Sequence, residues 1–147
     1  MAMKTKEIQE NLVRTMQRWQ AVERKSIAST GAVIGKTESP LIQLVMEIIQ
    51  NDSQLHHRIQ QMIIDSLESR PIAVSPDDMR NVSALIDAHL KLEDEMVGAV
   101  REALAAVKGR KMGVQEYLLN FLVEDEKKHA SLLSSLTAIK STLYKVS

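Results

Sequence analysis

The sequence predicts an all-α protein, a four-helix bundle. Four long segments repeat apolar residues at the spacing of one helix face, and the alternating pattern of strands is absent. The chain has five glycines and three prolines among 147 residues, and most of them fall in three short stretches that we interpret as turns. The helical segments are predicted at 4–34, 40–69, 76–108 and 112–144.

Residues typical of helix ends lie at these boundaries. Ser39 is predicted to cap the second helix, with Pro40 as its first residue, and Ser75 and Pro76 repeat this pair before the third helix. Gly109 suits the end of the third helix. Short connections between long helices of this kind favour a bundle.

The composition predicts a single domain over residues 1–147 and narrows the function. Nineteen basic residues balance nineteen acidic ones, so no net charge attracts nucleic acid or an anionic membrane. No apolar run approaches the roughly 20 residues of a membrane span, and the polar N-terminus does not resemble a signal peptide. We therefore expect a cytoplasmic protein that binds neither nucleic acid nor membrane.

Helices 1 and 3 each place a glutamate among the apolar residues of the inward face. On a helical wheel Glu23 shares this face with Met16 and Trp19. Glu93 has the same central position in helix 3, and His89 lies one turn earlier on the same face. Both glutamates are predicted to point into the bundle.

Helices 2 and 4 both carry an inward Asp and His four residues apart, Asp52 with His56 and Asp125 with His129. Burying such groups is costly unless they are paired or bind a cation. Counting residues from each loop places these pairs and the two inward glutamates at nearly one height. We interpret the layer as a metal centre. Because the chain has no cysteine, carboxylates and imidazoles must hold the metal, which favours iron, manganese or zinc.

The two halves of the chain look like a repeat. Ser53 and Glu126 occupy matching places at the edge of the apolar stripe, and they follow Glu23 and Glu93 by 30 and 33 residues. His57, next to the inward His56, falls on a glutamine-rich face and is predicted to be solvated.

The order of these residues, with the DEKKH stretch at 125–129 as its most specific element, resembles the ferritin-like di-iron carboxylate superfamily, nearest its rubrerythrin-like branch. The resemblance covers essentially the whole chain. It implies an iron cofactor of one or two ions, with manganese or zinc as alternatives. The ligands that it implies are Glu23, His56, Glu93, Glu126 and His129.

The resemblance also implies that Asp52 and Asp125 accept hydrogen bonds from the distal nitrogens of the ligand histidines. His89 is a candidate extra ligand. The family has a bridging Glu where this chain has Ser53, which leaves three alternatives open: an asymmetric pair of metals, a single metal, or a site that has lost its metal.

The connection between helices 2 and 3 leaves the topology open. The ferritin-like fold needs a crossover along the bundle, and an extended chain of seven or eight residues spans only about 26 Å. The crossover would require helix 2 to end near Ser66 and helix 3 to begin near Asn81. The alternative is a plain up-down-up-down bundle.

Two functions follow from this reading. The first is an oxidoreductase in which reduced iron reacts with oxygen or peroxide, of the ferroxidase or peroxidase type, with a small-molecule oxidant as its partner. The second is a structural scaffold that retains a degenerate polar layer. A homodimer is also expected, through an off-stripe face of helix 2 formed by Ile42, Met46 and Ile64.

Overall fold

A computed structural model describes residues 2–70 and 72–143 of the chain, with side chains described up to residue 136. Four α-helices account for most of these residues, and the described part contains no strand, so the all-α prediction is confirmed. Each predicted helix is present, and its ends agree with the prediction within one residue, except that the predicted last residue of helix 4, at position 144, lies outside the described residues. The helices are α1 (Thr5–Ile34), α2 (Pro40–Glu68), α3 (Pro76–Val107) and α4 (Gly113–Leu143).

The predicted caps of α2 and α3 are confirmed. The Ser39 hydroxyl accepts from the backbone N–H of Ile42 at 3.4 Å. Ser75 and Asp78 form a reciprocal capping box, each side chain accepting from the other's backbone N–H at 3.0 Å. Gly109, just past α3, has a φ of 75°, a left-handed conformation that glycine adopts without steric cost. Local chemistry thus sets these helix ends.

The chain divides into two compact units, Met1–Ile72 and Ala73–Ser147. In the first unit α1 packs against α2, and in the second α3 packs against α4, so each unit is a helical hairpin. The single domain of the sequence analysis stays a prediction. We call the units the first and the second hairpin. Helix α2 ends at Glu68 and α3 begins at Pro76, so neither has the shortening to Ser66 and Asn81 that a crossover would require.

The core of the first hairpin is formed by Val13 and Met16 of α1 with Ile64 of α2. Ile64 is only 4% exposed, so it cannot belong to a free surface. The predicted dimer face of Ile42, Met46 and Ile64 is therefore wrong at Ile64, because this side chain packs against α1.

The inward face of α1 is rotated slightly from its predicted position. Met16 and Glu23 are buried as expected, but Trp19 is 50% exposed while its neighbour Gln20 is 6% exposed. Gln20 reaches α2, where its amide donates to Gln61 Oε1 at 3.0 Å. A polar residue thus fills part of the contact that the wheel assigned to Trp19.

Within the described residues, no helix is both long and apolar enough to cross a membrane.

Candidate metal centre

Glu93 is the central residue of the second hairpin. It lies at mid-length of α3, and its side chain is only 2% exposed. One carboxylate oxygen, Oε1, is hydrogen-bonded to Nε2 of His89 at 2.8 Å, since a residue four positions earlier lies on the same helix face. The other oxygen, Oε2, is buried and has no hydrogen-bond partner among the described residues. A buried charged oxygen without a partner is costly, so it marks a place where a cation or proton is needed.

Helix α4 brings two more ligand-type side chains to this carboxylate. Glu126 and His129 are three residues apart and therefore share a helix face. Nδ1 of His129 lies 3.5 Å from Glu93 Oε1 and 3.6 Å from Glu126 Oε2. That Glu126 oxygen is also buried without a hydrogen-bond partner. One ligand atom from each of the three residues lies within 4.8 Å of the others.

The two carboxyl groups lie close enough to share a hydrogen bond when one of them is protonated. The contact with Glu126 is the main cause that lowers the pKa of Glu93, with the bond from His89 acting in the same direction. The same contact with Glu93, followed by burial, raises the pKa of Glu126. When the pair takes up a proton in the absence of a cation, these two directions place that proton on Glu126.

Asp125 lies on the far side of the His129 ring. Its Oδ2 is 3.3 Å from His129 Nε2, and its Oδ1 is 2.8 Å from the Lys128 ammonium. The contact is at the nitrogen that faces away from the glutamates, and the hydrogen bond that the resemblance implies for Asp125 stays a prediction. The carboxylate favours a proton on Nε2 and leaves the Nδ1 lone pair for a cation.

The donor set fits a metal ion. Carboxylates are hard ligands and imidazole is a borderline one, and this combination suits iron, manganese or zinc. Ligand atoms of the three residues converge from two helices, and each glutamate has one buried oxygen without a partner that a bound cation could satisfy. Three protein ligands leave further coordination positions for water or a substrate.

The first hairpin repeats part of this arrangement. Nδ1 of His56 lies 3.4 Å from Oε1 of the buried Glu23. Where the second hairpin has Glu126, the first has Ser53, which is buried and hydrogen-bonded to the hydroxyl of Ser26 at 2.8 Å. The two serine hydroxyls thus satisfy each other, and no charged group lies at the position that corresponds to Glu126. The sequence repeat gave no sign of the bond, because Ser26 lies beside the wheel stripe.

The structure places the predicted site residues in two sets. Glu93, Glu126 and His129 come together, with His89 and Asp125 in contact with them. In the first hairpin Glu23 pairs with His56, while Asp52 is half-buried and makes no hydrogen bond or ion pair with the described residues.

His57, predicted to be solvated, is less exposed than His56 and lies 3.1 Å from Arg24. Gln60, only 2% exposed, was not anticipated as a buried residue. No periodic signal marks a glutamine that faces a partner helix.

Comparisons with protein-family models, with curated proteins and with solved structures found no match to this chain.

Proposed function

We propose that this protein binds a metal ion, with iron as the preferred metal, through Glu93, Glu126 and His129. The observation that carries the proposal is a buried, unpartnered carboxylate oxygen on each of two glutamates, in a group where ligand atoms of both glutamates and of His129 lie within 4.8 Å of one another. Two adjacent buried carboxylates repel each other unless a proton or cation lies between them. A divalent cation removes that repulsion and satisfies both oxygens.

The proposed activity is the oxidation of reduced iron by oxygen or peroxide. Iron held by carboxylates and imidazole supplies redox chemistry that side chains alone lack. The ferritin-like resemblance of the residue order supports this choice of metal, and it suggests a small-molecule oxidant that reaches the open coordination positions.

The residues around the site have distinct tasks in this proposal. Glu93, Glu126 and His129 hold the ion. His89 accounts for one oxygen of Glu93 and so leaves Oε2 as the free ligand atom. Asp125 keeps His129 in the tautomer that presents Nδ1. His89 and Asp125 thus orient the ligand side chains and do not contact the oxidant.

A second candidate function is a structural scaffold, which one observation in the first hairpin favours. The Ser26–Ser53 hydrogen bond satisfies that polar position without any cation. If the second hairpin likewise satisfies its glutamates with a shared proton, the layer serves only to fix how the helices pair.

Elemental analysis of protein from iron-supplemented cells separates the two functions. We expect iron in the wild-type chain and its loss in His129→Ala, with His57→Ala as a matched control because His57 lies outside the cluster. Ferrous iron and air are then added while near-ultraviolet absorbance is recorded. Faster oxidation by wild type than by His129→Ala supports the redox activity. No metal after reconstitution would overturn the proposal and favour the scaffold.

A further inference from the structure

Helix α2 has an exposed apolar stripe on the side that faces away from α1. Leu44, Leu55 and Met62 are 42%, 52% and 51% exposed. Two residues along a helix is a rotation of about 200°, so Leu55 lies opposite the buried Ser53, and Met62 lies opposite Gln60. We call Leu44, Ile48, Leu55 and Met62 the outer stripe of α2. The hairpin does not use this side of the helix to pack α1.

The outer stripe has the spacing of a helix-pairing surface. The half-buried Ile48, Leu55 and Met62 are seven residues apart, which is the period at which two helices meet along one face, and Leu44 lies one turn before Ile48. The polar Asn51 and Arg58 stand one turn before Leu55 and Met62. A groove of about 480 Å³ opens at its C-terminal end, with Leu55, Met62 and Ile72 among its lining residues. The groove offers space for a large apolar side chain from another helix.

We propose that the outer stripe pairs with the outer stripe of a second copy of this chain, with the two α2 helices antiparallel. A two-fold axis beside Ser53 sets Leu44 of each copy opposite Met62 of the other, next to the groove. The contact is isologous, so one stripe supplies both the protruding residue and the space that receives it. This pairing does not rest on the proposed metal site.

Charge on the flank of the stripe specifies the second copy and its direction. Glu47 and Arg58 are exposed on the same flank, and neither makes an ion pair or hydrogen bond with the described residues. In an antiparallel pair related by a two-fold axis, the same flank of the two helices lies on the same side of the dimer. Glu47 of each copy therefore lies beside Arg58 of the other copy, which gives two such contacts per dimer. A parallel pair would instead set Glu47 near Asp52 of the other copy, where two negative charges repel.

Sedimentation equilibrium of the full chain tests the pairing. We expect wild type to be dimeric at about 100 µM, and Leu55→Asp to be monomeric because it places a charge in the seam. The charge reversals Glu47→Arg and Arg58→Glu should each raise the dimer dissociation constant about tenfold or more. The double variant E47R/R58E should return it close to the wild-type value.

Circular dichroism checks that each variant keeps its helix content, and runs with a chelator remove any effect of metal. The charge variants alter exposed side chains, so they keep the test decisive if Leu55→Asp fails to fold. A monomeric wild type, or a dimer unaffected by Leu55→Asp, would overturn the proposed surface. Failure of the double variant to recover would overturn the antiparallel arrangement.

Discussion

The Nδ1 atom of His56 lies 3.4 Å from Oε1 of Glu23. The same two atoms of His129 and Glu93 are 3.5 Å apart in the second hairpin. The hairpins therefore hold the same pair of residues in nearly the same geometry, and they differ at the third position, where Ser53 stands in place of Glu126. The difference explains why, among the described residues, three ligand-type groups gather in the second hairpin and two in the first.

Replacing Ser53 by Glu should make the melting temperature of the protein respond to a metal ion bound in the first hairpin. Without metal we expect Ser53→Glu to lower the melting temperature by about 5–10 °C, because a carboxylate enters a buried position and the bond to Ser26 is lost. Added Fe²⁺ or Zn²⁺ should recover much of this loss. Thermal melts with and without metal measure it.

Ser53→Gln is the matched control for that variant, since it has the same size without the charge. Equal recovery of both variants by metal would show that the new carboxylate binds nothing, and that the likeness of the two hairpins is not functional.

Glu93→Gln should abolish metal binding by the second hairpin. The variant removes the most buried ligand while keeping its shape, so we expect a loss of affinity larger than the 10- to 100-fold typical of residues that only support a ligand. Isothermal titration with Zn²⁺ reports the change. Glu124→Gln, an exposed acid near Glu126 on α4, is the control that should bind as wild type does.

His89 should behave as a residue that orients Glu93 and not as a ligand. Its Nε2 is hydrogen-bonded to Glu93 Oε1, and it lies outside the group of three ligand atoms. We expect His89→Leu to weaken Co²⁺ binding about 10- to 100-fold, and His89→Gln to restore most of it, because a glutamine amide can donate the same bond.

The visible spectrum of bound Co²⁺ distinguishes the two roles of His89. An unchanged spectrum in His89→Gln supports orientation, since the metal keeps all its ligands. A shifted spectrum together with equally weak binding in both variants would show that His89 coordinates the metal directly.

The metal-free protein should lose stability as the pH rises. The neighbouring Glu93 raises the pKa of Glu126, so the stability that Glu126 contributes is full below its ordinary value of 4.5 and is lost as the pH passes its raised pKa. The lowered pKa of Glu93 acts in the opposite direction at more acidic pH, where protonation of Glu93 costs stability. Melting temperatures in chelator across this range measure both effects.

Glu126→Gln removes the carboxyl group whose pKa is raised. The melting temperature of this variant should therefore not change over the pH range in which that of wild type falls. A wild-type curve parallel to that of Glu126→Gln would contradict the shared proton. Saturating metal should reverse the trend of wild type, because the ion binds the deprotonated pair more tightly at higher pH.

Much of the fold could be predicted from the sequence because local chemistry determines it. The Ser39 and Ser75 caps and the turn at Gly109 set helix ends that the structure reproduces within one residue. The inward positions of Glu23 and Glu93 followed from apolar periodicity, since each lies at the centre of a wide stripe. Such features depend only on residues within a few turns.

The remaining features depend on which side of each stripe meets the partner helix, and periodicity alone does not fix that rotation. Trp19 and Gln20 are adjacent in sequence and lie about 100° apart on the wheel, yet Gln20 is the buried one, and its amide bonds to α2. The Ser26–Ser53 bond likewise needs both helices of the hairpin. The wheel could not reveal either contact.

Anomalous diffraction from crystals soaked in Fe²⁺ or Zn²⁺ tests the central claim most directly, with data collected at the absorption edge of the metal. We expect one strong peak in the second hairpin, about 2.0–2.2 Å from a carboxylate oxygen of Glu93, a carboxylate oxygen of Glu126 and Nδ1 of His129. The claim would be contradicted if no peak lay between Glu93 and Glu126, or if the only peak lay away from both glutamates.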